Sequence, residues 1–127
     1  MGDRGNIKIV SGFEWAPPLY FYTHWRGSEL PGIVSNAMKR VKNAGRLTDE
    51  SYASRIIFDT LTENEYDEST GYCSTGYGIS TWRSEDASTV VTIDFKDKTV
   101  DVSGMPIPFD IFVALDVSTF FDEEFTW

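Results

Sequence analysis

The sequence predicts a single α+β domain, in which an antiparallel sheet of about five strands carries two antiparallel helices packed on one face. Three features of the 127-residue chain support this prediction. Two segments, 29–44 and 49–62, have the apolar spacing of amphipathic helices. Segments with alternating apolar residues precede and follow them, as expected of strands. Short links join the two helices and also the last two strands, so these pairs should be neighbours in space.

Two predicted strands, separated by a loop, precede the helices. Residues 6–10 (NIKIV) place Ile7 and Ile9 on one face. The following SGFEWAPP segment should be a loop, because Gly12 and two prolines interrupt regular structure. The second strand, residues 19–25, is apolar or aromatic on both faces. It should therefore be central and covered on both sides, or else contact something that binds it.

Local signals mark the ends of the two helices. Ser28 can cap the first helix, and Gly45 can supply the left-handed residue that ends it. Thr48 can cap the second helix, with Leu47 and Tyr52 at the spacing of a hydrophobic staple around that cap. The link between the helices is short, and we therefore expect them to be antiparallel neighbours.

The second half of the chain reads as a polar loop followed by strands. The segments YGISTW, TVVTIDF and TVDVS alternate as strands do, and the short link between the last two indicates a hairpin. Residues 108–115 (PFDIFVAL) fit either a strand or a helix, and we favour a helix because Pro108 suits a first turn. The aromatic, acidic tail at residues 118–127 should pack back onto the domain.

The charge of the chain limits its partners. The net charge is −9, so nucleic acids and anionic membranes should repel the protein, whereas a basic surface should attract it. Acidity that simply aids solubility is the alternative interpretation. No apolar run approaches the ~20 residues that a membrane-spanning helix needs. The N-terminus shows no signal-peptide pattern, and the single cysteine fits a reducing compartment. We therefore predict a cytoplasmic location in a host cell.

The residue inventory excludes several kinds of active site. One histidine and one cysteine are too few for a usual structural zinc site, which needs four nitrogen or sulfur ligands. No phosphate-binding P-loop and no GxSxG nucleophile motif occur. Glu63, Glu65 and Asp67 alternate as ligands of a hard cation can, but they lack EF-hand spacing and read equally well as a solvated acidic loop. We predict no metal site, no cofactor and no assigned catalytic residue.

One set of polar and aromatic residues falls where the first two strands should meet. If those strands form a hairpin, the start of the first lies beside the end of the second. One edge of the sheet then holds the binding candidates Asp3, Arg4, Tyr22, His24, Trp25 and Arg26. These residues could form a recognition or catalytic pocket. They could also form a network that closes the sheet end and caps the first helix, which is the interpretation we favour.

The same residues carry a resemblance to a known family. The segments MGDRGNIKIV and YFYTHWRGSELPGIV resemble a family of small, mostly uncharacterised proteins of tailed phages and prophages. The matching positions are Gly2, Asp3, Arg4, Tyr22, His24, Trp25 and Gly27. The resemblance covers about the first two thirds of the chain. It implies a phage accessory protein and assigns no catalytic residue.

Small acidic phage accessory proteins often bind and disable a host protein, as anti-CRISPR proteins do. The resemblance therefore implies an anti-defence inhibitor whose partner is a host or defence protein with a basic surface. Acidic candidates for that contact are Glu63, Glu65, Asp67, Glu68, Asp122, Glu123 and Glu124. Two alternatives stay open, a small enzyme with a pocket around His24, Asp3 and Arg4, and a minor structural or assembly protein of the phage. A homodimer is compatible with the sequence.

Overall fold

The computed structural model describes residues 3–73, 76–83 and 89–115. The strands are β1 (Gly5–Val10), β2 (Leu19–Thr23), β3 (Tyr66–Asp67), β4 (Tyr72–Cys73), β5 (Tyr77–Ser80), β6 (Thr89–Asp94), β7 (Thr99–Val102) and β8 (Met105–Pro108). The helices are α1 (Leu30–Asn43), α2 (Glu50–Leu61) and α3 (Phe109–Ala114), and a 3-10 turn (Gly27–Glu29) precedes α1. The predicted α+β class is confirmed, and so is the helical interpretation of the PFDIFVAL segment.

The main sheet has six strands in the order β5-β2-β1-β6-β7-β8, and it is mixed. The predicted antiparallel arrangement holds for every pair except β1 and β6, which run parallel. β2 occupies one edge of β1, and β6 pairs with the other edge while running in the same direction as β1. In this position the apolar residues of β6 align with those of β1, with Val91 beside Ile7 and Ile93 beside Ile9.

Three short strands were not predicted. β3 and β4 form a separate two-stranded sheet inside the polar loop, and each is only two residues long. β8 is the outermost strand beyond β7 and contains Pro106 and Pro108. Proline lacks the N–H that a ladder needs, so its presence argues against a strand, except at a sheet edge where that group faces solvent.

The helices cover one face of the main sheet. Phe21 of β2 and Phe58 of α2 meet edge to face, with ring centroids 5.1 Å apart. Phe21 aligns with Ile7 of β1, and both side chains are buried on the face that α1 also covers. The core contains no charged side chain among its fully buried large residues, which are Phe21, Phe112, Ile7, Leu30, Met38, Ile57, Leu61, Ile93, Val34, Val41, Val91 and Val100.

The ends of α1 and α2 differ in part from the sequence prediction. Gly45 has a φ of 70° and ends α1 as expected, with the N–H of Arg46 donating to the carbonyl of Val41. The cap of α2 is Asp49 rather than Thr48, since the Asp49 carboxylate accepts from the N–H of Tyr52. The Tyr52 side chain is exposed, and the guanidinium group of Arg46 lies over its ring at 4.2 Å from the centroid. The predicted staple is therefore not a purely buried apolar contact.

Candidate functional site

The six binding candidates lie together where β1 begins and β2 ends; we call them the sheet-end cluster (Asp3, Arg4, Tyr22, His24, Trp25 and Arg26). The antiparallel register pairs Gly5 with Thr23, which brings the residues before β1 beside those after β2. The N–H of Gly27 donates to the carbonyl of Asp3 over 2.6 Å. A Cβ atom on Gly27 would stand only 2.5 Å from the carbonyl oxygen of Arg4. Only glycine therefore permits this approach of the two segments.

Asp3 takes over the capping role that the sequence suggested for Ser28. Its carboxylate oxygens accept from the N–H of Ser28 at 3.0 and 2.9 Å, and the Ser28 hydroxyl also donates to it. The residues at the cap positions of the 3-10 turn and of α1 are Arg26 and Glu29, and neither makes a side-chain cap bond. A carboxylate at this end of a helix is favourable because the first N–H groups are unpaired and the helix dipole is positive there. The chain thus uses a residue from before β1 to fix the start of α1.

His24 is held by its neighbours in sequence and by the start of β5. Its Nδ1 atom lies 2.9 Å from the hydroxyl of Tyr22, which is two residues earlier and therefore on the same face of the strand. Its backbone N–H donates to the carbonyl of Gly76 over 2.8 Å. The exposed Trp25 ring meets the imidazole edge to face, with centroids 4.2 Å apart. Within the described residues, no hydrogen bond joins His24 to Asp3, so the pair lacks the geometry of a base and its orienting carboxylate.

Arg26 links the cluster to the end of α2. Its guanidinium donates to the carbonyl of Leu61 over 3.1 Å and to the carboxylate of Glu29 over 3.4 Å. Burial lowers the pKa of Arg26, but hydrogen bonds with Tyr77 and Glu29 outweigh that effect and leave it raised. Arg26 therefore stays charged and links the end of α2, the turn before α1 and Tyr77 of β5.

Tyr77, beside Arg26, donates its hydroxyl to Glu65 over 3.0 Å. Partial burial raises the pKa of Tyr77, and the bond to Glu65 raises it further, while Arg26 opposes the shift. Glu65, one of the predicted acidic-surface residues, is half-buried and accepts a hydrogen bond that ties the polar loop to β5.

The other acidic candidates do not form one free surface. Glu63 makes a two-oxygen ion pair with Arg40, both at 3.0 Å. Asp67 accepts from the hydroxyl and N–H of Ser69, and these bonds hold the pKa of its carboxyl below the usual range. Glu68 is exposed, and residues 122–124 lie outside the described part of the chain. Within residues 3–73, 76–83 and 89–115, no group of three or more His, Cys, Asp or Glu side chains could hold a metal ion.

A second surface was not predicted, and we call it the aromatic loop (residues 11–18). Phe13 and Trp15 contact each other, with ring centroids 5.8 Å apart, yet their side chains are 59% and 82% exposed. The sequence did contain a signal, since two aromatic residues lie between Gly12 and Pro17 in a segment that forms no regular structure. Aromatic side chains in such a loop have no strand or helix face to direct them into the core.

The backbone of the aromatic loop is anchored although its rings are exposed. The N–H of Gly12 donates to the Glu50 carboxylate over 2.9 Å, and the N–H of Ala16 donates to the carbonyl of Phe13 over 3.0 Å. The ammonium group of Lys96 reaches Glu14 at 3.4 Å. The Gly12 and Glu14 contacts tie the loop to the start of α2 and to the turn between β6 and β7, and the Ala16–Phe13 bond closes a turn within the loop.

An open cleft of about 550 Å³ lies beside the aromatic loop. Phe13, Phe95 and the two carboxylate residues at the start of α2, Asp49 and Glu50, contribute to its walls, together with Lys98. The surface therefore combines exposed aromatic rings with carboxylates, a mixture suited to a partner that offers both apolar and basic groups.

Comparisons with known proteins identify no relative. No protein-family model, no curated protein and no solved structure matches the chain. Among the described residues, no helix is long and apolar enough to cross a membrane. The resemblance to phage accessory proteins therefore stays a prediction from the residues that carry it.

Proposed function

We propose that the protein is a phage accessory protein that binds a host or defence protein, and that the aromatic loop is its main contact surface. One observation carries the proposal: Phe13 and Trp15 are exposed on a loop that is anchored to Glu50 through the Gly12 backbone and to Lys96 through the Glu14 side chain. The resemblance of the N-terminal segments to phage proteins supports the biological setting. An inhibitor of the anti-CRISPR kind is the form of activity that best fits a small binding protein in that setting.

Exposure of two large rings on an anchored loop favours binding over a purely structural role. Tryptophan is among the residues that contribute most to protein interfaces, and a buried aromatic side chain covers roughly 150–250 Å². An anchored loop also loses less conformational freedom on binding than a free one does. While the rings face water, they contribute little to the stability of the folded monomer. Their contribution is expected only when a partner covers them.

The net charge of the chain indicates the chemistry of the partner. Glu14, Asp49 and Glu50 lie on or beside the aromatic loop together with Lys98 and with Lys96, which pairs with Glu14, whereas the whole chain carries a net charge of −9. A basic partner surface would be attracted over a distance of about 10 Å at moderate salt, and more salt should slow its association. The net charge should therefore attract a basic partner to the chain as a whole, and the exposed rings of the aromatic loop supply the proposed contact.

The alternative of a small enzyme has less support. Asp3 is engaged with Ser28, and the Nδ1 atom of His24 is engaged with the hydroxyl of Tyr22. General acid–base catalysis needs a positioned group within hydrogen-bond reach of a substrate proton, and usually a second group to orient it. The contacts within the sheet-end cluster serve the fold, and no described feature favours a phage structural protein.

The proposal is tested by affinity capture from an extract of the bacterium that carries the gene. Tagged wild-type protein is compared with the double variant Phe13→Ala/Trp15→Ala and with Tyr66→Ala, which removes an exposed aromatic ring elsewhere. A specific partner should be retained by wild type and Tyr66→Ala and lost by the double variant. The purified partner should then bind with at least about a tenfold difference between wild type and double variant, or about 1.4 kcal/mol.

Inhibition is tested next, by measuring the activity of the purified partner with and without the protein. A partner that binds the double variant as tightly as wild type contradicts the assignment of the aromatic loop. A chain that retains no specific partner from the extract contradicts the binding function itself.

A further inference from the structure

The two edges of the main sheet differ in their capacity to pair with another strand. β8 forms one edge and contains two prolines, Pro106 and Pro108, which cannot donate a backbone hydrogen bond. β5 forms the other edge and contains no proline in its sequence Tyr77–Ser80. Among the described residues no strand pairs with its outer side. Natural sheets usually protect such an edge by charge, proline or cover, because it is a template for another strand.

The register of β5 determines which of its backbone groups point outward. His24 donates its N–H to the carbonyl of Gly76, so His24 and Gly76 form a hydrogen-bonded pair. By alternation the next hydrogen-bonded pairs are Tyr22 with Gly78 and Tyr20 with Ser80. In antiparallel pairing, bonded residues alternate with residues whose N–H and C=O point away from that partner. Tyr77 and Ile79 therefore present their backbone N–H and C=O groups at the free edge.

Apolar side chains accompany those outward backbone groups. Ile79 is 57% exposed and adjoins an open apolar cleft of about 260 Å³, to which Leu19, Phe21 and Phe58 contribute. Trp82, just beyond the end of β5, is 71% exposed. The edge therefore combines unpaired backbone groups with large apolar side chains that face water.

We propose that β5 pairs with β5 of a second copy of this chain, antiparallel, with the two-fold axis at Ile79. In this register Ile79 faces Ile79 of the other copy, and Gly78 faces Ser80. The same operation places Trp82 opposite Gly76, where the ring of Trp25 lies within 2.6 Å of the position a Cβ on Gly76 would occupy. Ile79 lies on the helix-covered face of the sheet with Phe21 and Phe58, whereas Trp82 lies beside Tyr22 on the opposite face. The exposed side chains of Ile79, Trp82 and Trp25 thereby line both faces of one self-complementary strand pairing, as a two-fold dimer requires.

Charges beside the edge also suit pairing with a second copy. Arg55 and Asp59 of α2 line the cleft next to Ile79, where they form a largely exposed ion pair with each other at 3.8 Å, and a second copy would offer each of them an alternative partner. A two-fold axis at Ile79 brings the two α2 surfaces together in opposite directions, so that Arg55 of one copy can face Asp59 of the other. This patch is self-complementary in sign although the whole chain is strongly acidic.

The area available indicates a weak, reversible dimer. Two partly exposed tryptophans and one isoleucine supply about 300–400 Å² of apolar surface per copy, if a tryptophan covers roughly 200 Å² when buried. A stable interface usually buries about 800 Å² on each partner. The net charge of −9 on each copy also opposes association. We therefore expect a dimer that forms at micromolar concentrations and becomes tighter as salt screens the repulsion.

Sedimentation of the full chain from about 1 µM to about 1 mM tests the proposal. Wild type should show a reversible monomer–dimer equilibrium. Ile79→Lys places two ammonium groups at the two-fold axis and should weaken dimerisation at least about tenfold. Ile111→Lys is the matched control, because Ile111 is 52% exposed on α3, and it should dimerise as wild type does. Trp82→Ala should also weaken the dimer, which keeps the test valid if Ile79→Lys folds poorly.

Hydrogen exchange identifies the paired strand. The outward N–H of Ile79 should exchange fast in dilute protein and become protected as the concentration rises. A wild-type chain that stays monomeric over the whole range overturns the proposal. So does a dimer that Ile79→Lys and Trp82→Ala leave unchanged, because another surface would then hold it. Protection of Ile79 only after a different protein is added would show a strand from that protein, and would likewise overturn it.

Discussion

The sheet-end cluster and the aromatic loop make opposite use of similar residues. Both are rich in aromatic and charged side chains, and both follow or precede a strand of the central hairpin. In the sheet-end cluster the charged side chains bond to the chain itself, Asp3 to Ser28 and Arg26 to Leu61, although the Trp25 ring is 59% exposed. In the aromatic loop the backbone is bonded while the rings of Phe13 and Trp15 face water.

The contrast separates two features of a polar, aromatic segment: side chains bonded within the chain indicate a structural role, and exposed rings indicate binding. Side chains that bond to other parts of the chain stabilise the fold, and removing one of them leaves its partner unpaired. A surface with exposed rings on an anchored backbone contributes to stability only when something else covers it. Mutations in the first region should therefore change the free energy of unfolding, and mutations in the second should change affinity.

The largest expected effect comes from the closest approach within the sheet-end cluster. Gly27→Ala would place a Cβ 2.5 Å from the Arg4 carbonyl oxygen, so the two backbone segments must separate. We expect a loss of about 3 kcal/mol in the free energy of unfolding, measured by urea titration. Gly32→Ala is the control, because a Cβ there meets nothing within 4 Å and should stabilise α1 by up to about 1 kcal/mol. A Gly27→Ala protein as stable as the Gly32→Ala protein would show that the sheet end is not tightly packed.

A smaller effect is expected at the cap that Asp3 provides. Asp3→Ala removes the acceptor for the Ser28 N–H and should cost about 1–2 kcal/mol, or a fall of about 4–6 °C in Tm. Asp3→Asn keeps an acceptor and should lose only about 0.5 kcal/mol, from the interaction with the helix dipole. Thermal unfolding of the three proteins measures the difference. An Asp3→Ala protein as stable as wild type would show that Asp3 does not stabilise the fold.

The smallest effect concerns pH and Tyr77. Burial and the bond to Glu65 raise the pKa of Tyr77, so the unfolded chain, with a pKa near 10, loses this proton first as pH rises. The stability that Tyr77 supplies is therefore complete below about pH 10 and declines above it. Urea midpoints between about pH 8 and pH 11 should fall less steeply for Tyr77→Phe than for wild type. Tyr66→Phe, which alters an exposed ring, should leave the slope unchanged.

Much of the fold could be predicted because it depends on local spacing. The helices predicted over 29–44 and 49–62 are observed as Leu30–Asn43 and Glu50–Leu61, since apolar periodicity and the stop at Gly45 are encoded within each segment. The parallel pairing of β1 with β6 joins residues more than 80 positions apart. No local pattern encodes which edge of β1 a later strand will occupy, so the mixed sheet could not be predicted.

The candidate site was predictable in position but not in detail. A hairpin between β1 and β2 is sufficient to bring Asp3 close to the residues after β2, as the structure shows. That Asp3 rather than Ser28 caps the helix depends on a contact across 25 positions of sequence. The exposure of Trp15 depends on the course of the aromatic loop over α2 and the β6–β7 turn, which local sequence does not specify.

We propose that the sheet-end cluster stabilises the fold and that the aromatic loop binds the partner. Measuring both Tm and the Kd for the captured partner, at a temperature where every variant is folded, tests it directly. Asp3→Ala should lower Tm by about 4–6 °C and leave Kd within about twofold of wild type. Phe13→Ala/Trp15→Ala should leave Tm within about 1 °C and weaken Kd at least about tenfold. The reverse result, with Asp3→Ala losing affinity at unchanged Tm while the loop variant binds normally, would contradict the account.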